Sequence, residues 1–123
     1  MTGEDLVARA ESAATYAYAP YSNYRVGATI ELHDGRVFDG VNVENAAYPL
    51  GVCAERTVIA KAASEGVRPG DIAAIGITAS PCGGCRQWLH EWRVGTVYFR
   101  RADGSLAQYG ASDLLPDTWD LPD

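Results

Sequence analysis

Two short segments of this 123-residue chain carry the side chains best suited to chemistry. One is Cys53-Ala54-Glu55-Arg56, the other Pro81-Cys82-Gly83-Gly84-Cys85-Arg86. Between them they hold all three cysteines. An odd count fits disulfide pairing poorly, and cysteines at recognisable spacing in a reducing compartment suggest metal binding or catalysis instead. Cys82 and Cys85 stand three positions apart and would share one face of a helix. At a helix N-terminus the dipole and the free N–H groups favour thiolate over thiol. Three thiolates brought together suit a soft or borderline divalent ion, for which zinc is the common choice.

A structural zinc site is usually closed by four protein ligands, whereas a catalytic one keeps three and a water. The two histidines are His33, in a predicted hairpin turn, and His90, about 140° around an ideal helix from Cys85. Neither easily joins Cys82 and Cys85, and there is no fourth cysteine. One position is therefore left open for water. Glu55 is close enough to Cys53 to reach that water without binding the metal. On a continuous helix residues 53 and 55 would diverge by about 200°, so Cys53 is expected at the very start of its helix, with a non-helical backbone. A glutamate so placed can take a proton from water and deliver it to a substrate, work worth about 10²–10⁴-fold in rate. Three thiolates weaken a dication as a Lewis acid. Arg56 offsets this if it donates hydrogen bonds to them; one such charge at ~4 Å and an effective dielectric of 20 is worth about 4 kcal/mol before desolvation. The competing readings are three buried cysteines without metal, a structural zinc borrowing a ligand from another chain, and Glu55 and Arg56 as solvated charges.

The elements that must position these groups are legible in the periodicity. Thr2 caps a first helix, with Glu4 and Asp5 in its first turn and Leu6, Val7, Ala10, Ala14 and Ala17 at helical spacing until Pro20. Period two sets in from Tyr24 to Leu32, with Arg25, Thr29 and Glu31 on the opposite side. Asp34-Gly35 signals a hairpin, with a return strand from Arg36 to Val43. A second helix is expected over Cys53 to Glu65, followed by Gly66. Ile72 to Ala79 reads as a strand buried on both faces. A third helix runs from Pro81, in its first turn, to about Trp92. Strands at Thr96–Arg100 and Ser105–Tyr109 flank the Asp103-Gly104 turn, and Ser112 and Asp113 open a last helical turn. This order predicts an α/β fold: one domain spanning 1–123, with a five-stranded mixed sheet between helices on both faces, a three-layer α/β/α arrangement.

The composition supports a globular chain with its own core: 47% apolar and 21% charged residues. A chain of this length should have a radius of gyration of roughly 14 Å. Ten Lys and Arg against sixteen Asp and Glu give a net charge of −6, with no basic cluster. Long nucleic acids are therefore poor ligands. The acidic start lacks the apolar core of a signal peptide, and no apolar run approaches a membrane span. The expectation is a cytoplasmic protein with no membrane partner.

These residues resemble the small, zinc-dependent cytidine deaminase family with three cysteine ligands; base deaminases pair H-x-E with P-C-x-x-C, and here Cys53 stands in the histidine position. The likeness extends to Ala19-Pro20-Tyr21-Ser22, Arg25-Val26-Gly27-Ala28, Asn42-Val43-Glu44-Asn45-Ala46, Ser64-Glu65-Gly66, Cys85-Arg86-Gln87 and Leu114-Leu115-Pro116, in order and over nearly the whole chain. The resemblance implies Cys53, Cys82 and Cys85 as zinc ligands, Glu55 as catalytic acid–base and Arg56 as a support to the thiolates. It implies Asn42 and Glu44 on the ribose and Tyr24 beside the substrate, where the family usually has phenylalanine; read alone, Tyr24 is equally a core strand aromatic. It further implies the Ala54 N–H on the base carbonyl and the Ser80 carbonyl facing the departing ammonia. Ala46, Tyr48 and Trp119 match positions that complete a neighbouring subunit's site in a homotetramer. Trp119 stands where phenylalanine usually covers the base, the connection from Ala79 to Pro81 is shorter than the family's, and Gly84 replaces a frequent alanine.

The activity so implied is zinc-dependent hydrolytic deamination of a free pyrimidine nucleoside, cytidine or 2′-deoxycytidine, with water as co-substrate, as in pyrimidine salvage. Three other readings share these residues: a deaminase of a modified cytosine nucleoside such as an aminoacylated antibiotic, a deaminase of single-stranded nucleic acid, and a non-enzymatic, zinc-stabilised nucleoside-binding module.

Overall fold

A computed structural model describes residues 1–120. The first helix, α1 (Gly3–Ala14), starts in a reciprocal cap: the Asp5 N–H donates to Thr2 Oγ1 at 3.1 Å, and the Thr2 N–H to Asp5 Oδ2 at 2.9 Å. It ends three residues before the predicted Ala17. Strands β1 (Gly27–Leu32) and β2 (Val37–Val41) form the expected hairpin, with Gly35 at φ +93° in its turn. The period-two segment is therefore strand only from Gly27; Tyr24 to Val26 lies outside it, pinned by side-chain bonds described below. Helix α2 (Ala54–Ala63) leads to β3 (Ile72–Ile77), and α3 (Gly83–Glu91) carries the chain to β4 (Thr96–Arg100), which pairs with β5 (Leu106–Gly110). A 3₁₀ turn over Ala111–Leu114 follows, its start closed by Asp113 Oδ2 accepting the Gly110 N–H at 3.2 Å.

The strands lie in the order β2-β1-β3-β4-β5, all antiparallel neighbours except the parallel pair β3–β4. α1 covers one face so closely that a Cβ on Gly27 would sit 2.0 Å from Ala10 O, and one on Gly76 2.6 Å from Leu6 Cβ. Two strand positions are thus reserved for glycine by helix–sheet approach. Thr29, on the side of β1 opposite Ala28 and Ile30 as expected, is buried on this face; its hydroxyl donates to Asp39 Oδ1 at 2.7 Å. On the other face Ala28, Ile30, Ile75, Ile77 and Val97 pack with Ala54, Val58, Ile59, Leu89 and Leu114 from α2, α3 and the last turn. The three-layer α/β/α arrangement with a five-stranded mixed sheet is as expected. Both helices of this second layer begin at one end of the sheet, where β3 also ends, and that places their N-termini together. No helix among the described residues is long and apolar enough to cross a membrane.

Candidate active site

Both helix starts are capped by cysteine. Cys53 is the N-cap of α2 with extended backbone, φ −71° and ψ 154°. This is the non-helical start that the divergence of residues 53 and 55 required, and it lets both side chains reach one space. Cys82 caps α3 in the same way, φ −68° and ψ 169°, and its Sγ accepts the Cys85 N–H at 3.4 Å. Pro81 consequently precedes the cap instead of occupying the first helical turn, because the thiol takes the capping role that would otherwise fall to a later residue. The three Sγ atoms all lie within 4.8 Å of one another, and those of Cys53 and Cys82 are 3.9 Å apart. Ligands held about 2.3 Å from a tetrahedral zinc would stand about 3.8 Å apart, so this donor set fits the ion. Among the described residues no histidine or carboxylate completes the group as a fourth ligand. His90 is instead engaged at Nε2 by Asp120 Oδ1, at 2.7 Å. Cys85 is buried while Cys82 is exposed, so the cluster opens on one side.

The surrounding charges are ordered around these thiols. Arg56 Nη2 donates to Cys53 Sγ at 3.3 Å. That bond, and the charges of all three thiols, hold the guanidinium's pKa above its ordinary value against partial burial. Arg56 Nε is buried without a hydrogen-bond partner among the described residues. Glu55 is only 3% exposed. Burial pushes its carboxyl above the usual range, and the neighbouring Cys85 thiol and Arg56 charge offset this only in part. Burial and the Glu55 charge raise the Cys85 thiol; at Cys82 burial is outweighed by the Cys85 N–H and the neighbouring thiols, which lower it.

Glu55, Cys53, Cys82 and Ala54 form the floor of a pocket of about 290 Å³ whose other walls are Tyr24, Asn42, Glu44 and Ser80. Eight residues singled out in the sequence thus meet in one cavity. Ser22, Val26 and Ala79 complete the lining; read from the sequence they have no individual role, Ser22 and Val26 standing only as members of longer motifs and Ala79 as the start of the short connection to Pro81. Asn42 and Glu44 have work inside the protein as well. Asn42 Nδ2 donates to Tyr24 O and its Oδ1 accepts the Val26 N–H, each at 2.8 Å. Glu44 Oε1 accepts the N–H groups of Tyr21 and Ser22 at 3.0 and 3.1 Å, and Oε2 accepts the Ser22 hydroxyl. The Ser22 hydroxyl and N–H hold the Glu44 carboxyl below its ordinary pKa, with the Tyr21 N–H adding to the effect. Arg86, noted in the sequence only as part of a motif, braces the opposite wall. Its guanidinium donates to Pro81 O at 3.0 Å, Ser80 Oγ at 3.1 Å and Leu114 O at 3.2 Å.

Ala46, Tyr48 and Trp119 do not line this pocket. All three are exposed, Trp119 and Tyr48 at 70% and 75%, and Tyr48 packs edge-on against Tyr21 with ring centroids 6.1 Å apart. A wider groove of about 520 Å³ between α1, β2 and α2 contains none of the thiols; its Asp39 carboxylate is bound by Arg9.

The family described as "Cytidine and deoxycytidylate deaminase zinc-binding region" matches residues 1–101. A cytidine deaminase of Halalkalibacterium halodurans is 40% identical over 131 aligned positions, covering 100% of this chain and 98% of the relative. One of Sporosarcina psychrophila is 38% identical, covering 100% and 95%. The crystal structure of a cytidine deaminase from Burkholderia pseudomallei superposes with a TM-score of 0.88 at 43% identity, covering 97% of this chain and 100% of that one. The three-thiol cluster, the buried glutamate beside it and these likenesses over the full length agree. The chain belongs to the zinc-binding cytidine and deoxycytidylate deaminase family.

Proposed function

We propose that this protein, a single domain over residues 1–123, hydrolyses cytidine and 2′-deoxycytidine to the corresponding uridines and ammonia. One observation carries the reading: the buried Glu55 carboxyl, the thiols of Cys53 and Cys82 and the polar Asn42–Glu44 pair share a pocket of about 290 Å³, and the third thiol, Cys85, lies within 4.8 Å of the other two; the volume is at the low end of the size range of small-molecule sites. Cys53, Cys82 and Cys85 hold the zinc ion, which when bound supplies Lewis-acid activation of water. Glu55, raised by burial, takes a proton from the attacking water and delivers it to ring nitrogen N3, then assists protonation of the departing amine. Arg56 stabilises the thiolates. Asn42 and Glu44 accept and orient the sugar hydroxyls, Tyr24 bounds the base, the Ala54 N–H meets the base carbonyl, and the Ser80 carbonyl faces the leaving ammonia.

Ala46, Tyr48 and Trp119 complete a neighbouring copy's site in a homotetramer. Their exposure, together with that of Tyr21 and Leu50, supports this assembly. Three reduced thiols gathered for a metal fit the cytoplasm. The test is product analysis: zinc-loaded protein given cytidine should release uridine and ammonia in equal amounts. Binding of cytidine without ammonia release would make it a binding module instead.

A further inference from the structure

Beyond the 3₁₀ turn at Ala111–Leu114 the chain runs to Asp120 with no helix or strand, and Asp117 turns it at φ +51°. Helix α3 holds this stretch at two points. Arg86 Nη1 donates to Leu114 O at 3.2 Å, and His90 Nε2 bonds Asp120 Oδ1 at 2.7 Å. Arg86 and His90 are four positions apart and share one face of the helix. The first point is reinforced by the Leu114 side chain, which is buried in the core. The second is the one hydrogen bond that residues 116–120 make to another element among the described residues. An ionised carboxylate can only accept, so the ring presents its Nε2 proton to Asp120 whether it is neutral or charged. Thr118 Oγ1 donates to the other carboxylate oxygen, Oδ2, at 3.4 Å, which orients the group. The side chain of His90 is 19% exposed and that of Asp120 68%. The ring is thus the fixed partner, and the carboxylate comes to it.

Trp119 precedes Asp120 directly, is 70% exposed and lines no wall of its own copy's Glu55 pocket. The proposed assembly, on which this inference rests, gives Trp119 to the neighbouring copy's site. We infer that His90 is a positioning residue for that site: by latching Asp120 to α3 it sets where Trp119 stands, and so tunes substrate binding in the adjacent copy. His90 itself touches neither the thiols nor the substrate. With the latch open, the chain stays anchored at Leu114, but Trp119 spreads over many positions and fewer neighbouring sites are complete at any moment. Apparent affinity falls by that fraction. The chemistry at Glu55 in a completed site is unchanged, so the effect lies on KM and not on kcat.

The test measures KM and kcat separately on zinc-loaded protein with cytidine. His90→Ala and Asp120→Ala should each raise KM about two- to fivefold, the scale of a partly exposed ion pair, with kcat within about twofold of the parent. His90→Gln, whose amide keeps a donor near the place of Nε2, should recover most of the native KM. Trp119→Ala should raise KM further, and adding His90→Ala to it should change nothing more. A raised KM in Trp119→Ala beside an unchanged one in His90→Ala and Asp120→Ala would overturn the latch. So would a further rise when His90→Ala is added to Trp119→Ala, or a fall in kcat at unchanged KM, either of which would make His90 a structural residue of α3. An unchanged KM in Trp119→Ala would overturn the role given to Trp119 in the assembly, and no turnover of cytidine by the unsubstituted protein would overturn the deaminase reading itself.

Discussion

Asn42 and Tyr24 are tied together: the Asn42 amide donates to the Tyr24 carbonyl at 2.8 Å, while its oxygen takes the Val26 N–H at the same distance. The side chain proposed to hold the sugar is thus also the clamp on the pocket's aromatic wall. Removing it disturbs both. Asn42→Ala should raise KM and lower kcat together, and should lower unfolding stability by about 1–3 kcal/mol, because two backbone groups lose their partners. Steady-state kinetics beside urea unfolding would show it; a change in KM alone would mean the clamp has no part in placing Tyr24.

Arg56 faces all three thiols and bonds that of Cys53 at 3.3 Å. Supporting groups of this kind are worth about 10- to 100-fold in metal affinity or activity. Arg56→Ala should lose zinc to a chelator in competition about 10- to 100-fold more readily, with Arg56→Lys in between. Equal zinc retention in Arg56→Ala and the parent would contradict the role.

The close approach of α1 to the sheet predicts an asymmetry among glycines. A Cβ on Gly27 would meet Ala10 O at 2.0 Å, whereas one on Gly83 in α3 meets nothing within 4 Å. Gly27→Ala should destabilise by about 3 kcal/mol or more, and Gly83→Ala should be neutral or stabilise by up to about 1 kcal/mol. Thermal unfolding of the two variants, compared at the same pH, checks both signs.

Asp39 supplies the pH dependence. Burial would raise its carboxyl, but hydrogen bonds from Arg9 and Thr29, with the Arg9 and Lys61 charges, outweigh that and lower it. A folded-state pKa below the unfolded value of about 3.9 means stability that is present above that pH and lost as the pH falls through the folded value. Asp39→Asn should therefore narrow its stability deficit relative to the parent as the pH drops from 7 toward strong acid. A deficit that stays constant with pH would exclude this linkage.

What could be read in advance depended on how far apart in the chain the interacting residues lie. The thiol cluster and Glu55 were legible because each half of the constellation spans a few residues, and even the extended backbone at Cys53 followed from helix geometry. The second duties of Asn42 and Glu44 were not, because their partners Tyr24 and Ser22 lie 18 and 22 residues away. Arg86 looked like any motif arginine, since nothing local shows that it reaches back to Ser80 and forward to Leu114. Period two carried Tyr24 to Val26 into a strand, although beyond one backbone bond, from the Asn42 N–H to Val26 O at 3.2 Å, the Asn42 side chain holds that segment. Period two places Thr29 on the side opposite Ala28 and Ile30, but its complete burial follows from α1 lying over that side, which no local signal shows.

The central claim is that Glu55 moves the protons while the cysteines alone hold the metal. Its most direct test is Glu55→Gln, which keeps the shape of the side chain and removes its acid–base capacity. Zinc content and the ultraviolet absorbance change on adding cytidine should be measured on the same preparation. The account predicts zinc at the level of the unsubstituted protein and turnover reduced by at least about 10²-fold. Turnover within a few-fold of the unsubstituted protein, with zinc intact, would contradict it.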